Sequence, residues 1–266
     1  MRAALLCLWL LAGAALADAP TRVISLAPSM TEMVVELGAD DLLVGVLDGV
    51  ERPAKLDGLP SVGRYGQLDM ERLLALQPDL LLLWPGSVPP AQRDQLQRLG
   101  LPTFSAEPHT LDELIEQIQA LAMRLGRGER GSAHAEALRK RLAALRERYH
   151  RAQPLRVFYQ VWDKPLYTLG GRQIVSDALA TCGARNIFAD LPQPAPQVSV
   201  ESVLVRDPQV LLLSDASQRA SWQAWPALLA RVAVVPDKGL ERPSGQMIEA
   251  TAQLCAVLDA TAPGSR

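Results

Sequence analysis

Apolar runs alternate with segments of helical period along most of this chain. The runs are continuous rather than alternating, which predicts parallel strands covered on both faces. A strand over 22–26 opens the series and leads through Ala27-Pro28 into a helix. In that helix Ser29 and Glu32 have capping-box spacing and Gly38 marks the end. A strand at 42–46, a loop containing Gly and Pro, a short helix around Glu71 and a strand at 80–84 follow. A helix near 90–99, a strand at 102–105 and a helix near 111–125 complete a first α/β lobe.

The pattern then repeats. Asp69-Met-Glu71-Arg-Leu-Leu-Ala-Leu-Gln-Pro78-Asp-Leu-Leu-Leu-Leu-Trp84 has a counterpart 130 residues later, Ser199-Val-Glu201-Ser-Val-Leu-Val-Arg-Asp-Pro208-Gln-Val-Leu-Leu-Leu-Ser214. Each reads as a short helix with an acidic or Ser N-cap, stopped near a Pro and followed by an all-apolar strand. Arg22-Val-Ile-Ser-Leu and Arg156-Val-Phe-Tyr-Gln likewise each open a half with a strand. Between the halves, Glu129–Ala152 is rich in Ala, Leu, Arg and Glu, with Leu138, Leu142, Leu145 and Tyr149 at helical spacing. That predicts one long amphipathic helix, ended by Pro154 and packed on both lobes.

The fold class is therefore α/β: two related lobes with parallel-type sheets, joined by one long α-helix, with a ligand cleft between the lobes. The expected division is a signal peptide over 1–17, an N-terminal lobe over 18–128, a connecting helix over 129–153 and a C-terminal lobe over 154–266.

The leader has a positive start at Met1-Arg2 and an apolar run from Ala3 to Leu16, too short for a membrane span. Small residues at Ala15 and Ala17 would leave Asp18 as the mature start. No second apolar stretch is long enough to span a bilayer, and Cys7 lacks the preceding small residue of a lipoprotein signal. A soluble periplasmic protein is expected. Cleavage removes Cys7 and leaves Cys182 and Cys255, which in an oxidising compartment read as one disulfide or as two buried free thiols.

Of 266 residues, 48% are hydrophobic and 21% charged, ordinary for a globular protein. A net charge of −2 gives no electrostatic case for nucleic acid. His109, His134 and His150 stand far from the cysteines and from each other, so no metal site is expected. Gly63–Gly66 reads as a loop rather than a dinucleotide fingerprint. The chain has no phosphate-binding Gly-rich loop ending in Lys-Ser/Thr, no Gly-x-Ser-x-Gly elbow and no His-Glu-x-x-His, so no enzyme is expected. Two α/β lobes instead describe a protein that captures a ligand outside the carboxyl ends of its strands. The loops falling there are 27–29, 47–53, 63–66, 84–87, 161–171, 191–196 and 237–245, which hold much of the Trp, Tyr, Arg and Pro.

Arg22-Val-Ile-Ser-Leu-Ala-Pro-Ser-Met-Thr-Glu32, the Glu71 helix with Pro78-Asp-Leu-Leu-Leu-Leu-Trp84, and Pro165-Leu-Tyr-Thr-Leu-Gly-Gly171 fit one family. So do Cys182-Gly, Asn186-Ile-Phe and Pro196-Gln-Val-Ser-Val-Glu201. Together they resemble the periplasmic cobalamin-binding proteins of vitamin importers, in the helical-backbone class of substrate-binding proteins, over essentially the whole mature chain. The resemblance implies a carrier that delivers cobalamin to an ATP-binding-cassette importer, cobalamin being cargo rather than cofactor. Relatives in the class carry haem or ferric siderophores. It further implies a Cys182–Cys255 disulfide and a ligand site at Pro28, Tyr65, Trp84, Tyr167 and Arg242. Flat aromatic faces suit a broad corrin plate, and a guanidinium can donate to its fringing amides. Glu71 and Glu201, equivalent in the repeat, are implied to meet arginines of a dimeric permease with ATPase subunits. That permease is the carrier's sole membrane contact, and the carrier itself is expected to be a monomer.

Four aromatic positions of the family pattern are lost, at Ala195, at Gly239, and near Gly49 and Arg52. Their loss predicts a roomier, more polar cleft, in which another corrinoid or a bulky metal chelate is the alternative cargo. Trp162, absent from the pattern, is a candidate to replace some of that surface. The matching Gly49-Val-Glu-Arg-Pro53 and Gly239-Leu-Glu-Arg-Pro243 would place Arg52 and Arg242 on opposite walls. A haem carrier would offer a Tyr or His axial ligand, a siderophore carrier a basic cleft, and a metal-ion carrier clustered His and carboxylates.

Overall fold

The computed structural model describes residues 19–48 and 54–261; the predicted signal peptide and the Gly49–Pro53 segment, with Arg52, lie outside them. Among the described residues two sheets form. The first takes β1 (Val23–Ser25), β2 (Leu43–Asp48), β3 (Ser61–Arg64), β4 (Gln67–Leu68), β5 (Leu80–Leu83) and β6 (Thr103–Ser105) in the order β4-β3-β2-β1-β5-β6. Only β3 and β4 pair antiparallel there. The second takes β7 (Leu155–Asp163), β8 (Leu166–Thr168), β9 (Ala184–Asn186), β10 (Val210–Leu213) and β11 (Val232–Val234), in the order β11-β10-β7-β8 with β9 also on β7. There only β8 is antiparallel. The helices are α1 (Pro28–Glu36), α2 (Met70–Ala75), α3 (Pro90–Arg98), α4 (Leu111–Arg124), α5 (Gly128–Arg148), α6 (Ile174–Thr181), α7 (Val200–Arg206), α8 (Pro226–Leu229) and α9 (Gln246–Thr261).

The sequence repeat is also a repeat of backbone. Asp69 and Ser199 cap α2 and α7, each side chain accepting the N–H three residues on. Gln77 and Asp207, just before the two prolines, take positive φ values of 46° and 41°. Arg22 and Arg156 reach the same two turns, Arg22 Nε donating to the Leu76 carbonyl at 3.0 Å and Arg156 Nε to the Asp207 carbonyl at 2.8 Å. A cation on the last carbonyls of a helix complements its dipole. The strand orders β2-β1-β5-β6 and β9-β7-β10-β11 correspond.

Strand alternation divides the interior. β1 and β5 send Val23, Leu80 and Leu82 to one face, and Ile24, Leu81 and Leu83 to the other. β7 and β10 likewise send Val157, Tyr159, Val210 and Leu212 one way, and Phe158, Leu211 and Leu213 the other. The first face of each sheet belongs to one continuous apolar core that takes in α1, α4, α5, α6 and α9. The lobes therefore share an interior. At the α4–α5 crossing Gly131 lies against Ala122, leaving no room for a side chain.

Two local expectations change. Ala27, not Ser29, is the N-cap of α1, and Pro28 takes the first helical position, so no capping box forms. Proline has no N–H to satisfy there and its fixed φ suits the start. The end of α1 is as expected: Gly38 takes φ 60° and closes a Schellman turn, its N–H bonding to Val35 and that of Ala39 to Val34. The connecting helix α5 stops at Arg148, well before Pro154. Its C-cap is Tyr149, whose carbonyl lies close against Gly183 at the end of α6. Cys182, which follows α6, is bonded to Cys255 in α9, closing a loop of 73 residues. Among the described residues no helix is long and apolar enough to cross a membrane.

Candidate functional site

Parallel strands deliver their carboxyl ends to one edge of each sheet. Pro28 follows β1, Tyr65 follows β3 and Trp84 follows β5 at that edge of the first sheet. In the second, the β7–β8 hairpin carries Trp162 and Tyr167, and Arg242 lies beyond β11. The two edges meet: Arg242 Nε stands 3.1 Å from Glu32 Oε1, and Ser244 Oγ donates to Glu32 Oε2 at 2.9 Å. A second meeting point joins His109, after β6, to Arg172, after β8, with His109 Nδ1 3.1 Å from the Arg172 carbonyl. Of the candidate site residues, Arg242 is the one placed directly at this meeting of the lobes.

Trp84 directly follows the last residue of β5. Its carbonyl accepts from the Ser87 hydroxyl at 2.7 Å and the Ser87 N–H at 2.8 Å, and its ring lies over Gly86. This turn holds the indole in place while 39% of the residue stays exposed. Tyr65 sits where a loop was expected but a hairpin forms, at the β3–β4 turn. Arg64 spans that turn to Gln67 Oε1 at 2.9 Å, and Tyr65 is 61% exposed. Tyr167 also lies in a strand rather than a loop. It stands opposite Trp162 in the antiparallel pair, and opposed residues share a face. Trp162 is 59% exposed, with its indole N–H on the Lys164 carbonyl at 3.2 Å. Pro28, Tyr167 and Arg242 are half-buried.

Of the positions where the family pattern has aromatics, Ala195 is exposed and Gly239 is buried. The Gly239 N–H donates to Asp237 Oδ1 at 2.7 Å, and a Cβ would stand 3.1 Å from that oxygen, a tight contact that the Asp237 side chain would have to relieve by a small shift. Glu71 and Glu201 are exposed at the second position of α2 and α7, one on each lobe. The Glu201 carboxyl is held below its ordinary range by its own backbone N–H and then by the Ser199 hydroxyl.

Glu32 was expected as part of a cap; it is instead a buried interlobe carboxyl. Burial raises its pKa above 4.5, outweighing the Ser244 hydrogen bond and the Arg242 charge, and Glu36 adds to the rise. Folding raises this pKa, so the group's contribution to stability is complete below about pH 4.5 and is lost as pH climbs through the folded value. The stability of wild type relative to Glu32→Gln should therefore decline from pH 4.5 upward in paired thermal melts. A relative stability that rises with pH would show that the Arg242 pairing outweighs burial.

The fold and these edges define a two-lobed substrate-binding protein. Residues 23–225 match the family described as periplasmic binding protein. The chain is 37% identical to a vitamin B12-binding protein of Yersinia pestis over 244 residues, covering 90% of this chain and 86% of that relative. The crystal structure of the periplasmic vitamin B12 binding protein of Vibrio cholerae aligns at 36% identity and a TM-score of 0.82, over 91% of this chain and 98% of that one. A periplasmic heme binding protein from Pseudomonas aeruginosa aligns at 28% identity and a TM-score of 0.75, over 92% and 94%. The chain belongs to the periplasmic binding protein family.

Proposed function

We propose that the protein captures cobalamin between its lobes and delivers it to an ATP-binding-cassette importer. The observation that carries this reading is the exposed aromatic surface at the carboxyl edges of both sheets: Tyr65 and Trp84 on one lobe, Tyr167 beside Trp162 on the other. Such faces offer a broad corrin contact area at small rotamer cost, and Pro28 and Arg242 complete the border. The reading includes export by a signal peptide over 1–17 to a soluble periplasmic monomer. It divides the mature chain into lobes over 18–128 and 154–266 around the connecting segment 129–153. Glu71 and Glu201 are the docking carboxylates for a dimeric permease, and the protein catalyses no reaction. The 36–37% identity to vitamin B12-binding proteins along most of the chain supports cobalamin over haem. Haem stays in the test because Tyr65 and Tyr167 each present a phenol, one at the carboxyl edge of each sheet.

Replacing Trp84 by Ala should weaken cobalamin binding by about 1–3 kcal/mol, roughly 5- to 150-fold in Kd, from lost aromatic contact. Equal affinities by calorimetry would remove Trp84 from the site. The proposal as a whole is tested by exporting the protein to the periplasm of cells grown with cobalamin and recording its visible spectrum after purification. Corrin bands are expected; a Soret band, or siderophore charge-transfer absorption, would replace the assignment.

A further inference from the structure

The lobes are fastened by two helix caps that cross between them in opposite directions. The N-terminus of α9, in the second lobe, is capped by Glu36 of α1, in the first: Oε2 accepts from Gly245 N–H at 2.9 Å and Oε1 from Gln246 N–H at 3.1 Å. The N-terminus of α4, in the first lobe, is capped in return by Asp177 of α6, in the second, whose Oδ2 accepts from Leu111 N–H at 2.8 Å. Thr110 supplies the local cap of α4, taking the Glu113 N–H at 3.1 Å and leaving the first N–H to Asp177. The connecting helix attends both carboxylates. His134 Nε2 lies 3.5 Å from Glu36 Oε2, and Arg146 lies 3.7 Å from Asp177 Oδ2 while pairing with Asp112 at 2.7 Å.

The two devices are counterparts in the duplicated fold. α1 leads into β2 and α6 into β9, the counterpart of β2 in the second sheet, and α4 and α9 each close their lobe. A carboxylate at a helix N-terminus satisfies N–H groups that have no intrahelical partner and interacts favourably with the dipole. Neither can be satisfied this way unless the lobes hold one separation and angle.

We propose that Glu36 and Asp177 are positioning residues for ligand capture: by capping helices of the opposite lobe they hold the two aromatic walls at the spacing the ligand needs. Neither residue touches the ligand in this assignment, which rests on the proposed capture between the lobes. The cleft is then preorganised, and less of the binding free energy is spent on ordering the lobes.

The test places nitroxide labels at Arg98→Cys and Arg219→Cys, exposed positions on opposite lobes, with the native disulfide intact. Distance distributions are measured with and without cyanocobalamin in wild type, Glu36→Ala/Asp177→Ala and Glu36→Gln/Asp177→Asn. Wild type should give a narrow distribution in both states. The alanine pair should broaden it without ligand, regain the narrow form with ligand, and lose about tenfold in affinity. The amide pair keeps acceptor oxygens and should recover most of the narrow distribution. If the alanine pair does not fold, each single alanine variant carries the same reading. An unchanged distribution in folded variants overturns the proposal, as does an unchanged affinity. A wild type that fails to bind cyanocobalamin defeats the cobalamin reading instead, and the ligand-free distances still judge the caps.

Discussion

Reducing the Cys182–Cys255 bridge should destabilise the protein by about 4 kcal/mol while leaving ligand affinity nearly unchanged. The chain-entropy model gives that magnitude for a closed loop of 73 residues. For a chain of this size it corresponds to a fall in Tm on the order of 10 °C. The indifference of the ligand follows from position. Gly183, next to the bridge, accepts the N–H of Leu155 at the start of β7, so the disulfide lies at the amino edge of the second sheet. The aromatic walls lie at the opposite, carboxyl edge. Thermal melts with and without reductant, paired with calorimetry, check both halves. Two reactive thiols in the unfolded, unreduced protein would contradict the bridge, and a parallel fall in affinity would contradict its separation from the site.

Removing both proposed docking carboxylates, Glu71→Ala with Glu201→Ala, should reduce transport by an order of magnitude or more in a reconstituted importer, with each single change intermediate. Both residues sit in the first turn of an N-capped helix, where a carboxylate contributes about 0.3–1 kcal/mol through the dipole. A purely local role would cost that much stability and no transport. The duplication puts one exposed carboxylate on each lobe in equivalent surroundings, the pattern a twofold-symmetric partner would read. Charges at such a rim govern association rate and salt dependence more than cargo affinity, so the loss should be mimicked by raising ionic strength. Full transport by the double variant, or collapse of cobalamin binding with it, would end the docking assignment.

The architecture was legible because its signals are local. An all-apolar strand such as Leu80–Leu83 is buried on both faces and shows as a run; Asp69 and Ser199 announce helix starts; and Pro78 and Pro208 fix the intervening turns. The duplication doubled each signal. Tyr65 and Trp84 were readable as site candidates through the family resemblance, Trp84 at the end of an expected strand and Tyr65 in an expected loop. Features held by partners distant in sequence have no local signal. Glu32 has the spacing of a capping residue from Ser29, yet its hydrogen-bond donor Ser244 is 212 residues away. Glu36 caps α9 across 209 residues, and no periodicity encodes that. The β3–β4 hairpin was hidden by its glycines, which read as loop, and α5 ends at Arg148, ahead of the proline that punctuates the sequence. Arg242 was legible as a cleft candidate, but its pairing with Glu32 depends on how the lobes meet.

The central claim is that the space between the lobes takes a corrinoid, and titration calorimetry of the mature, ligand-free protein addresses it most directly. Cyanocobalamin, hemin and a ferric siderophore are titrated in turn under one set of conditions. Saturable one-to-one binding of cyanocobalamin, and no comparable binding of the other two, is the predicted result. Absence of cobalamin binding beside saturable binding of hemin or the siderophore would contradict it.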